Sequence, residues 1–154
     1  MVSPIKHWAR AKKFGYRSGL EKVVQDSLND RMCFAQYEAM KIEWEDLAYR
    51  TYTPDFLLPN GIIIETKGMF TVDDRRKHLL IKKQHPELDI RFVFENSKRR
   101  LSKVSKTTYA AWCEKHGFLY ADKLVPDEWI QEEKKLTHPP LVKFKGTKKD
   151  ANHE

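Results

Sequence analysis

Two short runs of the chain hold residue types that can do chemistry together: Pro54-Asp55 and Glu65-Thr66-Lys67. Between them stands Pro59-Asn60-Gly61, whose Asn-Gly pair is a strong hairpin signal. A chain that reverses there brings Asp55 close to Glu65 across two paired strands. Side chains alternate along a strand, so Glu65 and Lys67 point to the same face. Two carboxylates and one ammonium on one sheet face suit phosphodiester hydrolysis. Hard oxygen ligands hold Mg²⁺. The ion polarises a phosphate and activates a water, and a lysine stabilises developing negative charge or positions the water. The backbone carbonyl of Thr66, between the two side chains, is a further candidate ligand. The same residues also fit a plain surface ion pair worth under about 1 kcal/mol. The apolar lead-in Ile62-Ile63-Ile64 marks this strand as central, where a charge at the end needs a reason.

The elements that must position these groups are legible around them. Thr51-Tyr52-Thr53 is rich in β-formers and opens the outgoing strand. Pro54 marks an edge or bulge, and Phe56-Leu57-Leu58 continues the strand. The return strand runs over 62–67 and Gly68 ends it. Upstream, Ser18-Gly19-Leu20-Glu21 matches a capping box and predicts a helix over 18–30, with Leu20, Val23, Val24 and Leu28 on one face. On that reading Glu21 is a capping acid, which stands beside the hairpin only if the helix packs on that face. Phe34–Trp44 reads as a strand and 45–50 as a weakly patterned connection. Downstream, Asp73 or Asp74 starts a helix that His85-Pro86 stops. A short strand follows over 90–94, then a basic loop over 97–106, a helix over 107–116 closed by Gly117, and a last short helix from Pro126. The order α-β-β-β-α-β, then helices, predicts a mixed α/β sheet with flanking helices.

Composition narrows the class. The chain has 154 residues, room for about one domain, and 29 Lys+Arg against 22 Asp+Glu give a net charge of +7. A basic excess points to a polyanion partner, most often nucleic acid, although it also simply aids solubility. Positive charge gathers in three clusters. One is the N-terminal arm with Lys12, Lys13 and Arg17. Another is Arg75-Arg76-Lys77 with Lys82 and Lys83. The third is the loop with Lys98, Arg99, Arg100, Lys103 and Lys106. The longest apolar run, Tyr109–Cys113, is five residues, against about 20 for a membrane span and roughly 7–15 for a signal-peptide core. Two cysteines far apart in sequence give neither a disulfide framework nor a zinc motif. Residues 1–17 read as a flexible basic arm, 18–131 as the folded domain and 132–154 as a basic mobile tail. Trp112 and Trp129 read as core residues. His78 reads as a solvent-facing or phosphate-contacting helix residue, with a general-base role as the alternative.

The combination of Arg17-Ser18-Gly19-Leu20-Glu21, 51–61 around Pro54-Asp55, Glu65-Thr66-Lys67-Gly68, Lys77-His78-Leu79-Leu80-Ile81, 84–91 and Cys113–Gly117 resembles the phage endonuclease I family. That family resolves Holliday junctions and lies within the restriction-endonuclease-like superfamily. The resemblance runs from about Arg17 to Ile130. It implies catalytic roles for Glu21, Asp55, Glu65 and Lys67. It implies a metal site from Asp55, Glu65 and the Thr66 carbonyl, with Glu21 completing a second position. It further implies one or two Mg²⁺ ions per site, replaceable by Mn²⁺, and branched DNA, above all four-way junctions, as partner. The enzyme would be an intertwined homodimer in which Glu21 of one chain joins the other chain's site, working in the cytoplasm of an infected host cell. The stretch 38–50 and both ends depart from the family pattern. A duplex-cutting nuclease of the same fold and a non-catalytic basic DNA-binding module are the alternatives.

Overall fold

The computed structural model describes residues 18–45, 48–134 and 142–144. The arm over 1–17 and most of the expected tail lie outside them. Ser18 caps helix α1 (Gly19–Asp30), its hydroxyl accepting from the Glu21 amide; that is one half of the expected capping box, and the Glu21 carboxylate accepts from the Tyr37 hydroxyl. Next come β1 (Gln36–Tyr37), β2 (Met40–Glu45), β3 (Tyr49–Tyr52), β4 (Phe56–Leu57) and β5 (Ile63–Lys67). Helix α2 (Val72–Gln84) leads to β6 (Ile90–Phe94), α3 (Tyr109–His116), β7 (Tyr120–Asp122), α4 (Asp127–Gln131) and β8 (Val142–Phe144).

The strands form two sheets. One is mixed and five-stranded, in the order β1-β4-β5-β6-β7, and the other three-stranded, in the order β3-β2-β8. The hairpin at Asn60-Gly61 is present. Gly61 takes φ 91°, and β4 pairs antiparallel with β5 through Phe56↔Ile64 and Leu57↔Ile63. From β5 the chain crosses through α2 to the parallel strand β6, and through α3 to the parallel strand β7. Alternation on these strands splits the core in two. Ile63, Phe92 and Phe94 join Phe70, Ile81, Trp112 and Phe118. Ile64 and Val93 join Val24, Leu28, Phe56, Val125 and Trp129. Helices α2 and α3 therefore supply one core and α1 and α4 the other, and Trp112 and Trp129 are core residues as read.

Three sequence-based expectations change. The single strand expected over 34–44 is two strands belonging to different sheets. The break falls at Glu38, whose φ of 44° is left-handed and whose amide donates to the Asp55 carbonyl. The outgoing strand is likewise divided. Tyr52 ends β3 in the small sheet, while Phe56 starts β4 in the large one, with Pro54 at the switch. Five strands rather than three thus lie between α1 and α2. Strand β7 was not anticipated, because Tyr120–Asp122 is too short for a period-2 signal. Within the expected tail, Val142–Phe144 pairs with β2. Gly117 closes α3 in the left-handed conformation, φ 73°, as its position suggests.

Candidate active site

Thr66 is the point around which the site is built. Strand β4 is only two residues long, so at Asp55 the backbone has already left the ladder beside β5. The Thr66 amide that a longer β4 would meet is instead taken by the Asp55 carboxylate. Asp55 Oδ2 accepts from the Thr66 amide at 2.8 Å and from Thr66 Oγ1 at 2.8 Å. The sequence-level expectation that the hairpin brings Asp55 to the Glu65–Lys67 strand therefore holds. The anchor itself is the middle residue, Thr66.

Glu65 lies one position back on β5 and is 4 % exposed. Lys67 Nζ stands 3.2 Å from its Oε1, so the two do share a face. The ammonium also donates to Asp74 Oδ1 at 3.1 Å. Burial alone would push Lys67 down, but Glu65 and Asp74 outweigh it and hold the lysine above its usual range, cationic. Asp74 serves two elements. Its Oδ2 takes the Thr71 amide and hydroxyl in a complete capping box at the start of α2. Burial would raise the Asp74 carboxyl, yet Lys67 and the Thr71 bonds pull it lower.

Glu65 Oε2 accepts from the Tyr52 hydroxyl at 2.6 Å, across from the small sheet. Burial above all, and then Glu65, push the Tyr52 phenol well up, so it remains a donor. His78 sits behind this pair with no exposure. It is edge-on to Tyr52 at 5.1 Å and to Phe92 at 4.8 Å. That corrects the reading of His78 as a surface residue: helix α2 turns it inward, beside Ile81. Burial, reinforced by Lys77 and Lys67, drives its imidazole well below the ordinary value, so it is neutral and carries no counter-charge.

Glu21 projects from α1 into the same cleft and receives the Tyr37 hydroxyl. The cleft, of about 670 Å³, is lined by Glu21, Asp55, Glu65, Thr66, Lys67 and Tyr52, with Lys41 and Lys77 also on its wall. All four expected catalytic positions are thus gathered, and a single chain suffices to gather them. Asp55 is held far from its ordinary protonation behaviour. Burial raises its carboxyl well above the usual range, Glu65 and Glu21 add to the rise, and the Thr66 bonds only partly offset it.

Among the described residues, no three His, Cys, Asp or Glu side chains are placed to hold a metal ion by themselves. Mg²⁺ asks for less, since it commonly takes one or two carboxylates and keeps several waters. The expected donors are the Asp55 and Glu65 carboxylates and the Thr66 carbonyl. They are all hard oxygens, and the Asp55 carboxylate is repelled by its neighbours, so the chemistry of the set fits a divalent cation.

The expected DNA contacts are placed unevenly. Lys12, Lys13 and Arg17 fall outside the described residues. Arg75 donates to the Phe70 carbonyl, Arg76 is exposed on α2, and Lys77 lies 5.0 Å above the Tyr52 ring. Lys98 and Arg99 line a second cleft with Glu95, Asn96, Asp122 and Lys123, and Arg100 bridges to Thr108. Sequence reasoning missed Tyr52, Tyr37 and Asp74 as site residues. The signals available, β-propensity for Tyr52 and a helix start for Asp74, report local structure and not what each side chain meets.

The architecture and this cleft define the class first: an α/β protein with a buried acidic site at the end of a central strand. The family model for phage endonuclease I matches residues 4–151, and the chain belongs to that family. It is 53 % identical over 135 residues to endonuclease I of Escherichia phage T7, a match covering 87 % of this chain and 91 % of the relative. It is also 53 % identical over 140 residues to endodeoxyribonuclease 1 of Enterobacteria phage T3, covering 88 % and 91 %. No helix among the described residues is long and apolar enough to cross a membrane.

Proposed function

We propose that this chain is a Mg²⁺-dependent DNA endonuclease that resolves four-way junctions as a homodimer in the infected host's cytoplasm. The observation that carries the reading is the crowding of acids in one cleft: Glu21, Asp55 and Glu65 line it beside the Lys67 ammonium, and burial with the Glu65 and Glu21 charges holds the Asp55 carboxyl well above its usual range. Asp55, Glu65 and the Thr66 carbonyl would hold the ion, with Glu21 beside a second position and Mn²⁺ able to substitute. A bound divalent ion supplies polarisation of the scissile phosphate and a more acidic water. Lys67, kept cationic by Glu65 and Asp74, stabilises the charge that builds on the phosphate oxygens. Water adds at phosphorus and the 3′ oxygen leaves, giving 5′-phosphate and 3′-hydroxyl ends. Lys77, Arg76 and the Lys98–Arg100 loop are the described cations offered to backbone phosphates, with the N-terminal arm as a further contact.

Two copies that exchange segments by opening the β2–β3 hairpin would rebuild the same contacts, with Glu21 then supplied by the other chain. Two sites in one dimer match the two cuts that resolve a junction. The test compares Mg²⁺-dependent cleavage of a synthetic four-way junction with that of a duplex of the same sequence. Paired nicks confined to the junction are expected. Equal cutting of both substrates favours the duplex nuclease, and binding without cutting favours the non-catalytic module. The exchange has its own test in a heterodimer of Glu21→Ala and Lys67→Ala chains refolded together. With exchange, one site carries both lesions and the other neither, so one strand is nicked at near the normal rate. Without exchange every site carries a lesion and nicking stays low.

A further inference from the structure

We propose that Tyr52 is a positioning residue that fixes the Glu65 carboxylate in the orientation a divalent ion requires; this rests on the metal-dependent reading above. Glu65 is almost fully buried, and its two oxygens are divided between two donors. Oε1 faces Lys67 at 3.2 Å, and Oε2 accepts from the Tyr52 hydroxyl at 2.6 Å. A carboxylate has about four lone-pair sites, so two donors still leave room for a cation on it. The two donors differ in kind. Lys67 reaches Glu65 through a long flexible chain and shares its ammonium with Asp74. Tyr52 has a rigid ring, is 3 % exposed, and ends β3, where it pairs with Ile42 of β2.

The ring is held on more than one side. His78 meets it edge-on at 5.1 Å, and the Lys77 ammonium lies over its face at 5.0 Å. These contacts hold the ring while its hydroxyl donates to Glu65 Oε2. Tyr52 also makes the small sheet part of the site. The carboxylate belongs to the five-stranded sheet and its rigid donor to the three-stranded one. Partners that orient ligating carboxylates from behind commonly change metal affinity about 10–100-fold when removed.

The test uses the full chain without DNA and Mn²⁺ as probe, titrated calorimetrically into wild type, Tyr52→Phe and Tyr49→Phe. Phenylalanine keeps the ring contacts with His78 and Lys77 and removes only the hydroxyl. Tyr49, on the same strand, is 86 % exposed and serves as the control. Tyr52→Phe is expected to weaken Mn²⁺ binding about tenfold or more. The half-saturating Mg²⁺ concentration for cleavage should rise in parallel, while junction affinity in EDTA stays unchanged. Tyr49→Phe should match wild type. If wild type binds Mn²⁺ and Tyr52→Phe binds it equally, the positioning role is overturned and the metal reading stands. If wild type takes up no Mn²⁺, both fall. Should Tyr52→Phe fail to fold, the wild-type near-ultraviolet tyrosine spectrum replaces it. Mg²⁺ should perturb that spectrum in wild type but not in Glu65→Gln, and identical flat responses overturn the proposal.

Discussion

Two buried charge clusters, one on either side of the central strands, are built on opposite plans. Arg91 on β6 is 3 % exposed and meets two acids. It forms a two-pronged pair with Asp89 at 2.8 Å and another with Glu132 at 2.7 and 2.8 Å, with its guanidinium 5.1 Å over the Trp129 ring. The buried cation is fully matched, and its partners hold it charged. Around Glu65 the acids are crowded instead: Lys67 pairs with Glu65 and Asp74, while Glu21 and Asp55 line the same cleft, whose wall also carries Lys41 and Lys77. A matched cluster fastens structure, here tying β6 to the end of α4. An acid-rich cluster is a cost to the empty fold that a cation can relieve. Burial alone does not distinguish them; the sign and number of the partners do.

The largest effect that could break this contrast is on activity. Glu65→Gln should keep the fold and junction binding but lower cleavage by about 10³-fold or more, since ion-mediated stabilisation is worth several kcal/mol. Single-turnover junction cleavage measures it, and near wild-type cutting would mean that the acid-rich cluster is not the reactive one. Next is stability. Arg91→Ala should cost about 3 kcal/mol in denaturant unfolding, near the low end for a broken buried ion pair. The Asp89 and Glu132 side chains are 20 % and 36 % exposed, so water partly replaces the lost arginine. Mn²⁺ affinity should not change, because this cluster plays no part in the cleft.

The smallest effect has the opposite sign. Asp55 is held well above its ordinary value of 3.8, chiefly by burial and then by Glu65 and Glu21. In the metal-free protein the stability from this group is therefore full in acid and is lost as pH rises through the raised folded value. Asp55→Asn keeps an oxygen for the Thr66 donors and removes the repelled charge. It should stabilise the EDTA-treated protein by about 1 kcal/mol near pH 8, with the gain fading toward pH 4. Thermal melts across that range check the sign. Added Mg²⁺ should raise the wild-type midpoint and leave the variant unmoved.

Local chemistry was enough to read much of the site. Asn60-Gly61 dictates a hairpin, strand alternation puts Glu65 and Lys67 on one face, and Ser18 with Glu21 starts α1; each rule acts over a few residues. The helices at 72–84 and 109–116 and the strand at 90–94 were legible for the same reason. What the sequence could not set is which distant groups meet. Glu38 takes a left-handed turn and divides the expected strand between two sheets because its amide meets Asp55, far along the chain. His78 reads as a surface residue on a charged helix until the Phe92 strand and the Tyr52 sheet close over it. The sequence by itself determined the acids, the lysine and the hairpin that joins them. The tertiary structure decided that the Tyr52 hydroxyl meets Glu65, that Asp74 pairs with Lys67, and that Glu21 shares the cleft. Those pairings depend on how two sheets and a helix pack, which no short-range pattern encodes.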